Sequence, residues 1–138
     1  MTLAWQDELA IGHHEIDAQH REIFERFHRL TAACEEGRGT EKLAELVGFL
    51  EEYAREHFAT EERLMAEYGF PGLAAQEEAH RSFMAETARF RQRLGAEGSS
   101  EELLLALKGS LIRWLIQHIR NLDGEFGSYL KDISKATP

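Results

Sequence analysis

The fold of this chain is decided by residues 43–65, LAELVGFLEEYAREHFATEERLM. Apolar side chains recur in this stretch every three or four residues, which is the period of one face of an α-helix. The pattern extends from about Thr40 to Tyr68, and Gly69 and Pro71 close it. We therefore predict an amphipathic helix of about 28 residues, whose apolar face must be covered by other helices.

Three further stretches of the sequence share this period. They run from about Asp17 to Gly37, from about Leu73 to Leu94, and from Ser100 to about Asn121 or a little beyond. Asp17 and Ser100 are the expected N-caps, because their side-chain oxygens can accept hydrogen bonds from free backbone amides at a helix start. Short loops between the four helices make neighbours antiparallel. We predict an all-α, antiparallel, up-down-up-down four-helix bundle.

The length of the chain predicts one domain. Its 138 residues are enough to bury one continuous core. We expect a single domain over residues 1–138, with an extended N-terminal arm at about 1–15, including Trp5, and the bundle at about 16–131.

The net charge and the cysteine content indicate which classes of partner and which cellular compartment to expect. A net charge of −9 argues against nucleic acid or an anionic membrane surface as partner, since both attract basic patches. Asp7 and Glu8 interrupt the N-terminus, which predicts neither a signal peptide nor a membrane span. The lone Cys34 is expected to be a small buried hydrophobe in a reducing compartment. We expect a cytoplasmic protein.

Polar residues lie within the apolar faces of all four predicted helices. On the second helix, His57 lies at the centre of the apolar stripe and Glu61 follows one turn later. The other three helices each place one histidine inward: His20, His80 and His118. One inward histidine is usually a core residue with a single hydrogen bond, but four of them with a carboxylate indicate a bound cation. Imidazole and carboxylate ligands without thiolates suit iron better than a structural zinc site.

Asp123 is a second candidate carboxylate with an irregular spacing. It follows His118 by five residues, which in a regular helix is a rotation of about 500°, or about 140° away from the histidine's face. Spacing alone therefore favours an exposed Asp123. A helix end at Gly124 or a π-type widening of the helix would instead turn the carboxylate inward.

Four motifs, taken together, resemble a known family. They are IDAQH at 16–20, HFATEE at 57–62, a helix-three histidine followed by Phe83, and WLIQHIRNLD at 114–123. They are similar to the hemerythrins, most closely the single-domain bacterial members, and the likeness runs from Trp5 to about Tyr129. The resemblance implies two iron ions, oxo- or hydroxo-bridged, that bind molecular oxygen reversibly and accept small anions such as azide.

The resemblance also implies a ligand set. The two carboxylates that bridge the irons in that family match Glu61 and Asp123, so the resemblance implies an inward Asp123. The histidines match positions on both irons: His20 and His57 on the iron that binds oxygen, and His80 and His118 on the other.

Gln76 departs from the family's pattern. The second iron of a hemerythrin has a third histidine four residues before the position of His80, and this sequence has Gln76 there. Three interpretations stay open: Gln76 binds through its amide oxygen, a water completes the site, or Glu77 turns inward. An amide oxygen is a weaker donor than imidazole, so Gln76 weakens one iron's ligand set.

The resemblance implies storage, delivery or buffering of oxygen and no catalysis. Four apolar residues next to the candidate ligands are expected to form a dry oxygen pocket, or else to be ordinary core: Phe58, Trp114, Leu115 and Ile119.

Other functions remain as alternatives. A di-iron redox enzyme that reduces peroxide or nitric oxide is one, because Gln76 weakens a ligand set. An oxygen or redox sensor acting through a separate partner is another. A ferritin-like carboxylate centre built from the pairs Glu25–His28 and Glu77–His80 is disfavoured, because His28 points away from the core. His13 and His14 are expected on the surface or in the arm, with a hydrogen bond from His14 into the site as the alternative.

Overall fold

The computed structural model describes residues 5–136, and it contains no strand in that range. Four long helical segments form the antiparallel, up-down-up-down bundle: α1 (His14–Glu35), α2 (Gly39–Glu67), α3 (Leu73–Glu97) and a fourth helix over residues 101–136. The predicted all-α four-helix bundle is thereby confirmed. The side chain of Cys34 lies outside the described residues, as do residues 1–4 of the predicted arm.

The start of α1 differs from the prediction, because Asp17 is not its N-cap. The helix begins at His14, two residues after Gly12, whose φ of +94° lets the chain turn out of the arm. Asp17 lies in the first turn of α1, and its carboxylate accepts hydrogen bonds from the backbone amides of Ile11 at 2.8 Å and Gly12 at 3.2 Å. The carboxylate therefore ties the arm to the bundle.

The arm lies against two helices. Its one short 3₁₀ turn is Asp7–Leu9, and the Trp5 ring meets the edge of Phe24 on α1 at a centroid distance of 5.8 Å. On the fourth helix, Gly127 permits a close approach, since a Cβ atom there would lie 2.5 Å from the carbonyl oxygen of Ile11. The predicted extended N-terminal arm is confirmed for the described residues.

The fourth helix is longer and less regular than predicted. Ser100 caps it as predicted, accepting a hydrogen bond from the backbone amide of Leu103 at 3.1 Å. It does not end near Asn121. It continues to Ala136. The whole helix has five parts: α4 (Glu101–Leu107), a first π segment (Lys108–Ile112), α5 (Arg113–His118), a second π segment (Ile119–Asp123) and α6 (Gly124–Ala136). Each π segment rotates the apolar face around the helix. A regular helical period therefore no longer matches the apolar residues by the position of Phe126, which is fully buried.

The apolar core has two parts, and a polar layer separates them along the helices. On α1, His20 lies between Ile16 of the smaller part and Ile23 of the larger part. On α2, Glu61 lies between Phe58 of the larger part and Leu64 of the smaller part. The bundle therefore encloses its polar layer with hydrophobic side chains at both ends. No helix within residues 5–136 has the length and hydrophobicity of a membrane span.

Candidate metal centre

Six ionisable side chains and one amide meet in the polar layer. Each is at most 5% exposed: His20, His57, Glu61, Gln76, His80, His118 and Asp123. All four helices contribute, so the cluster forms only when the bundle closes.

The ionisable side chains form two overlapping groups that share their carboxylates. One group joins His20 and His57 to Glu61 and Asp123, and we call it the His20–His57 side. The other joins His80 and His118 to the same two carboxylates, and we call it the His80–His118 side. Within each group the four ligand atoms lie within 4.8 Å of one another. This spacing is suited to one cation on each side, with the carboxylates between them.

The histidine Nε2 atoms face the carboxylates on both sides. On the His20–His57 side, His57 Nε2 lies 3.0 Å from Glu61 Oε1, and His20 Nε2 lies 3.2 Å from Asp123 Oδ2. On the His80–His118 side, the corresponding distances are 3.5 Å from His80 Nε2 to Glu61 Oε1 and 3.3 Å from His118 Nε2 to Asp123 Oδ1.

Asp123 is fully buried, so the exposed orientation that regular spacing favours is wrong. The cause is the second π segment, Ile119–Asp123. A π-type turn brings residues five apart onto the same side of a helix, and His118 and Asp123 have that separation. Of the two routes inward that the sequence left open, the π-type widening is the one observed, because the helix continues through Gly124.

Unsatisfied buried atoms test whether cations fit this cluster. The following atoms are buried without a hydrogen-bond partner: His20 Nδ1 and Nε2, His57 Nε2, both carboxylate oxygens of Glu61, Gln76 Oε1 and Asp123 Oδ2. Most of these atoms are hydrogen-bond acceptors crowded together, an arrangement that is costly without positive charge between them. The donor set therefore fits metal cations.

Two of the histidines are oriented by partners outside the cluster. His57 Nδ1 donates to Gln19 Oε1 at 2.6 Å, and His80 Nδ1 donates to Glu62 Oε2 at 2.7 Å. Because Nδ1 carries the proton in each ring, the unprotonated Nε2 faces the cluster. Each contact joins two different helices, so the helical periodicity of the sequence could not predict Gln19 or Glu62 as a partner.

Burial sets the protonation of these two histidines. It lowers the pKa of His57 to about 4 and the pKa of His80 to about 3, because a charged imidazolium is poorly solvated there. Both rings are therefore neutral at neutral pH, which is the form that binds metals.

The carboxylates and His118 respond differently. Burial, together with the negative charge of Asp123, raises the pKa of Glu61 well above its usual value. Burial acts in the same direction on Asp123, but the neighbouring imidazoles of His118 and His20 outweigh it and hold the pKa of Asp123 well below its usual value. For His118, burial lowers the pKa, and the bond to Asp123 more than reverses this, so the pKa is raised. The raised pKa of Glu61 means that its carboxylate is unfavourable in this buried cluster unless positive charge lies beside it.

Gln76 lies in the cluster, and Glu77 does not. The Gln76 side chain is fully buried, and its Nε2 donates to Asp123 Oδ1 at 2.9 Å, which leaves Oε1 without a partner. Glu77 is only half-buried, and its charge acts on Glu62, whose pKa is raised first by burial and then by Glu77. Among the three interpretations of this position, the geometry favours the amide oxygen of Gln76.

Of the four residues expected to form an oxygen pocket, two stack on histidines of the His80–His118 side and two are buried in the apolar core. Phe58 stacks on His80 with ring centroids 3.9 Å apart, and Trp114 stacks on His118 at 4.5 Å. Leu115 and Ile119 are buried in the larger part of the core.

The remaining histidines lie outside the cluster. His28 and His14 are exposed and His13 is half-buried. The exposure of His28 agrees with the prediction and leaves the ferritin-like pair Glu25–His28 without an inward ligand.

The comparison with known proteins agrees with this geometry. Residues 11–130 match the family described as Hemerythrin HHE cation binding domain. A bacteriohemerythrin of Stenotrophomonas maltophilia (strain R551-3) is 36% identical over 129 residues, covering 94% of this chain and 82% of the relative. A bacteriohemerythrin of Pseudomonas aeruginosa (strain LESB58) is 37% identical over 124 residues, covering 90% and 78%. A myohemerythrin of Riftia pachyptila is 28% identical over 123 residues, covering 88% of each chain. The chain belongs to the hemerythrin family.

Proposed function

We propose that this chain holds two iron ions, oxo- or hydroxo-bridged, and binds molecular oxygen reversibly for storage, delivery or buffering. The observation that carries the proposal is the pair of ligand groups that share Glu61 and Asp123. Relatives named bacteriohemerythrin and myohemerythrin cover most of the chain and support it. We further propose that residues 1–138 act as one domain in the cytoplasm.

The proposed ligands divide between the two irons as the cluster divides. Glu61 and Asp123 would hold both irons. His20 and His57 would hold the iron that binds oxygen, while His80, His118 and the amide oxygen of Gln76 would hold the other. The orientation of the Nε2 atoms and the unpartnered Oε1 of Gln76 support this division.

A di-iron pair supplies the two electrons that reversible oxygen binding requires. The protein's own contribution is to hold the pair and to keep water away, since water promotes irreversible loss of the electrons. We assign this role to the four pocket residues: Phe58, Trp114, Leu115 and Ile119. The burial of Phe58, Leu115 and Ile119 supports it.

Elemental analysis and an optical oxygen titration test the proposal. Protein purified after expression with ample iron is expected to contain about two irons per chain. The reduced protein is expected to change its absorption when oxygen is added and to recover when oxygen is removed, through repeated cycles. One metal per chain, zinc alone, or a change that does not reverse contradicts it.

A redox enzyme is the second candidate, and Gln76 is the observation that favours it. An amide in place of an imidazole leaves one iron with a weaker ligand set and a position that exchanges more readily. Steady-state reduction of hydrogen peroxide or nitric oxide by the iron-loaded protein distinguishes the candidates. Turnover that continues with a supplied reductant supports the enzyme, and reversible oxygen binding without turnover supports the carrier.

An oxygen or redox sensor needs a separate partner, which affinity capture with the reduced and the oxidised protein would identify.

A further inference from the structure

His57 and His80 are oriented by chemically different partners. His57 donates to Gln19, a neutral amide, whereas His80 donates to Glu62, a carboxylate. The Glu62 side chain is 31% exposed, so it links the buried His80 ring to the surface of the protein. The charged partner and the amide Gln76 both lie on the His80–His118 side.

The His80 ring is fixed in two ways that act together. Phe58 lies parallel to it, with an interplanar angle of 7° and a centroid distance of 3.9 Å, and this contact sets the plane of the ring. The bond from Nδ1 to Glu62 sets the rotation within that plane and directs Nε2 at the cluster, 3.5 Å from Glu61 Oε1. Without Glu62, the ring keeps its plane but loses the group that directs Nε2.

A carboxylate partner also changes the donor strength of an imidazole. When a carboxylate accepts the Nδ1 proton, it draws that proton toward itself and increases the electron density at Nε2, so the metal is held more firmly. A neutral amide such as Gln19 has a weaker effect, because its hydrogen bond carries no ionic charge. The stronger partner is thus found where an imidazole ligand has been replaced by an amide.

We propose that Glu62 is a positioning residue that strengthens His80 as a metal ligand and thereby offsets the weaker donor Gln76 at the same metal position. The proposal rests on the iron site proposed above. It assigns a role in metal retention to a half-exposed side chain that is not a ligand.

The test is a double-mutant cycle on metal retention. The rate at which each iron leaves the iron-loaded protein for a chelator is measured for Glu62→Gln and for Gln76→His, singly and combined. Glu62→Gln keeps an acceptor for His80 Nδ1 and removes only the charge, while Glu62→Ala removes both. Glu78→Gln is the matched control, because Glu78 is exposed on α3 and loses the same charge two residues from His80.

Glu62→Gln is expected to release one of the two irons about tenfold faster, and Glu62→Ala up to about 100-fold faster. Gln76→His is expected to slow that release. In the Gln76→His background the effect of Glu62→Gln is expected to fall to about threefold, because a restored imidazole needs less compensation. The charge-transfer spectrum of the oxidised iron is expected to shift in Glu62→Gln and not in Glu78→Gln.

Two results overturn the proposal. One is an equal effect of Glu62→Gln in both backgrounds, which removes the compensation between Glu62 and Gln76. The other is release from Glu62→Gln at the rate of the Glu78→Gln control with an unshifted spectrum. A wild-type protein that fails to hold two irons contradicts instead the proposed function, so the two failures are distinguishable.

Discussion

The two sides of the cluster share their carboxylates but hold their histidines differently. On the His20–His57 side both rings are fully buried, they meet edge to face at 4.5 Å, and the described partner of His57 is neutral. On the His80–His118 side each ring is stacked on an aromatic side chain, and Glu62 connects the side to the surface. We therefore expect the shared carboxylates to be required for binding a cation on either side, and the outer partners of the histidines to affect how firmly each side holds its cation.

Removing a shared carboxylate is expected to abolish the distinction between the sides. Glu61→Ala takes a ligand from both groups and leaves two cations facing each other with less charge compensation. Iron content is expected to fall from about two per chain to well below one, measured by elemental analysis after gel filtration. Glu52→Ala, an exposed change on the same helix, is the control and keeps its iron. An unchanged metal load in Glu61→Ala refutes the bridging role.

Metal loading is expected to release protons, and the two sides contribute unequally. His57 and His80, with pKa values lowered to about 4 and about 3, are already neutral at pH 7 and release none. Glu61 and His118 have raised pKa values, so their protonated forms persist to higher pH than usual, and we expect a cation that binds them to displace these protons.

The sign of the pH dependence follows from this release. Since protons compete with the metal, affinity falls as the pH falls, by about tenfold per pH unit for each proton released. The His80–His118 side contains His118 and is expected to weaken first. Anaerobic calorimetry with ferrous iron, in buffers of different ionisation enthalpy, measures the number of protons. Loading that takes up protons or releases none contradicts the assignment.

The sequence predicted the regular parts of the site and missed the irregular parts for physical reasons. His57 and Glu61 are four residues apart in a regular helix, so periodicity alone placed both side chains inward. Asp123 required a π segment, and five-residue spacing in a regular helix pointed it the wrong way; only the family resemblance implied its inward orientation. The same irregularity explains why the buried Phe126 was not predicted, because the apolar face of the fourth helix no longer follows a regular period at that position.

Gln19 and Glu62 could not be found from periodicity at all. Each touches a histidine on another helix, 38 and 18 residues away in the chain, and such pairs are set by how the helices are rotated against one another. The prediction of Asp17 as an N-cap failed for a related reason. Its carboxylate accepts hydrogen bonds from backbone amides of the arm, and the residue preferences at helix starts do not predict such a contact.

Truncating a buried apolar side chain next to the cluster is expected to affect the lifetime of bound oxygen more than the retention of iron. Leu115 is 2% exposed and lies three residues before His118, so Leu115→Ala creates space that water can enter. Severalfold faster autoxidation with nearly unchanged iron content is expected, together with a loss of about 2–5 kcal/mol in the free energy of unfolding. Leu105→Ala is the matched control, since Leu105 is 61% exposed on the same helix. Equal autoxidation rates in the two variants make Leu115 a core residue without a pocket role.

The smallest effect is expected from making the two sides alike. Gln19→Glu gives His57 a carboxylate partner, as His80 already has, and should make His57 a stronger donor by the same physical route. Gln19 Nε2 now donates to Thr60 Oγ1 at 3.4 Å, and that hydroxyl donates to the carbonyl oxygen of Glu56. A carboxylate at position 19 loses the first of these bonds, and its partial burial adds a desolvation cost.

Only part of the gain in donor strength should therefore survive. We expect release of iron from the His20–His57 side to slow by about two- to threefold, close to the effect of the Glu62 charge once position 76 is histidine. Chelator kinetics resolved into two phases measure it, with Gln19→Ala as the opposite change, expected to speed the same phase. If Gln19→Glu and Gln19→Ala shift that phase in the same direction, the charge of the outer partner does not control retention, and burial of the histidines alone separates the two sides.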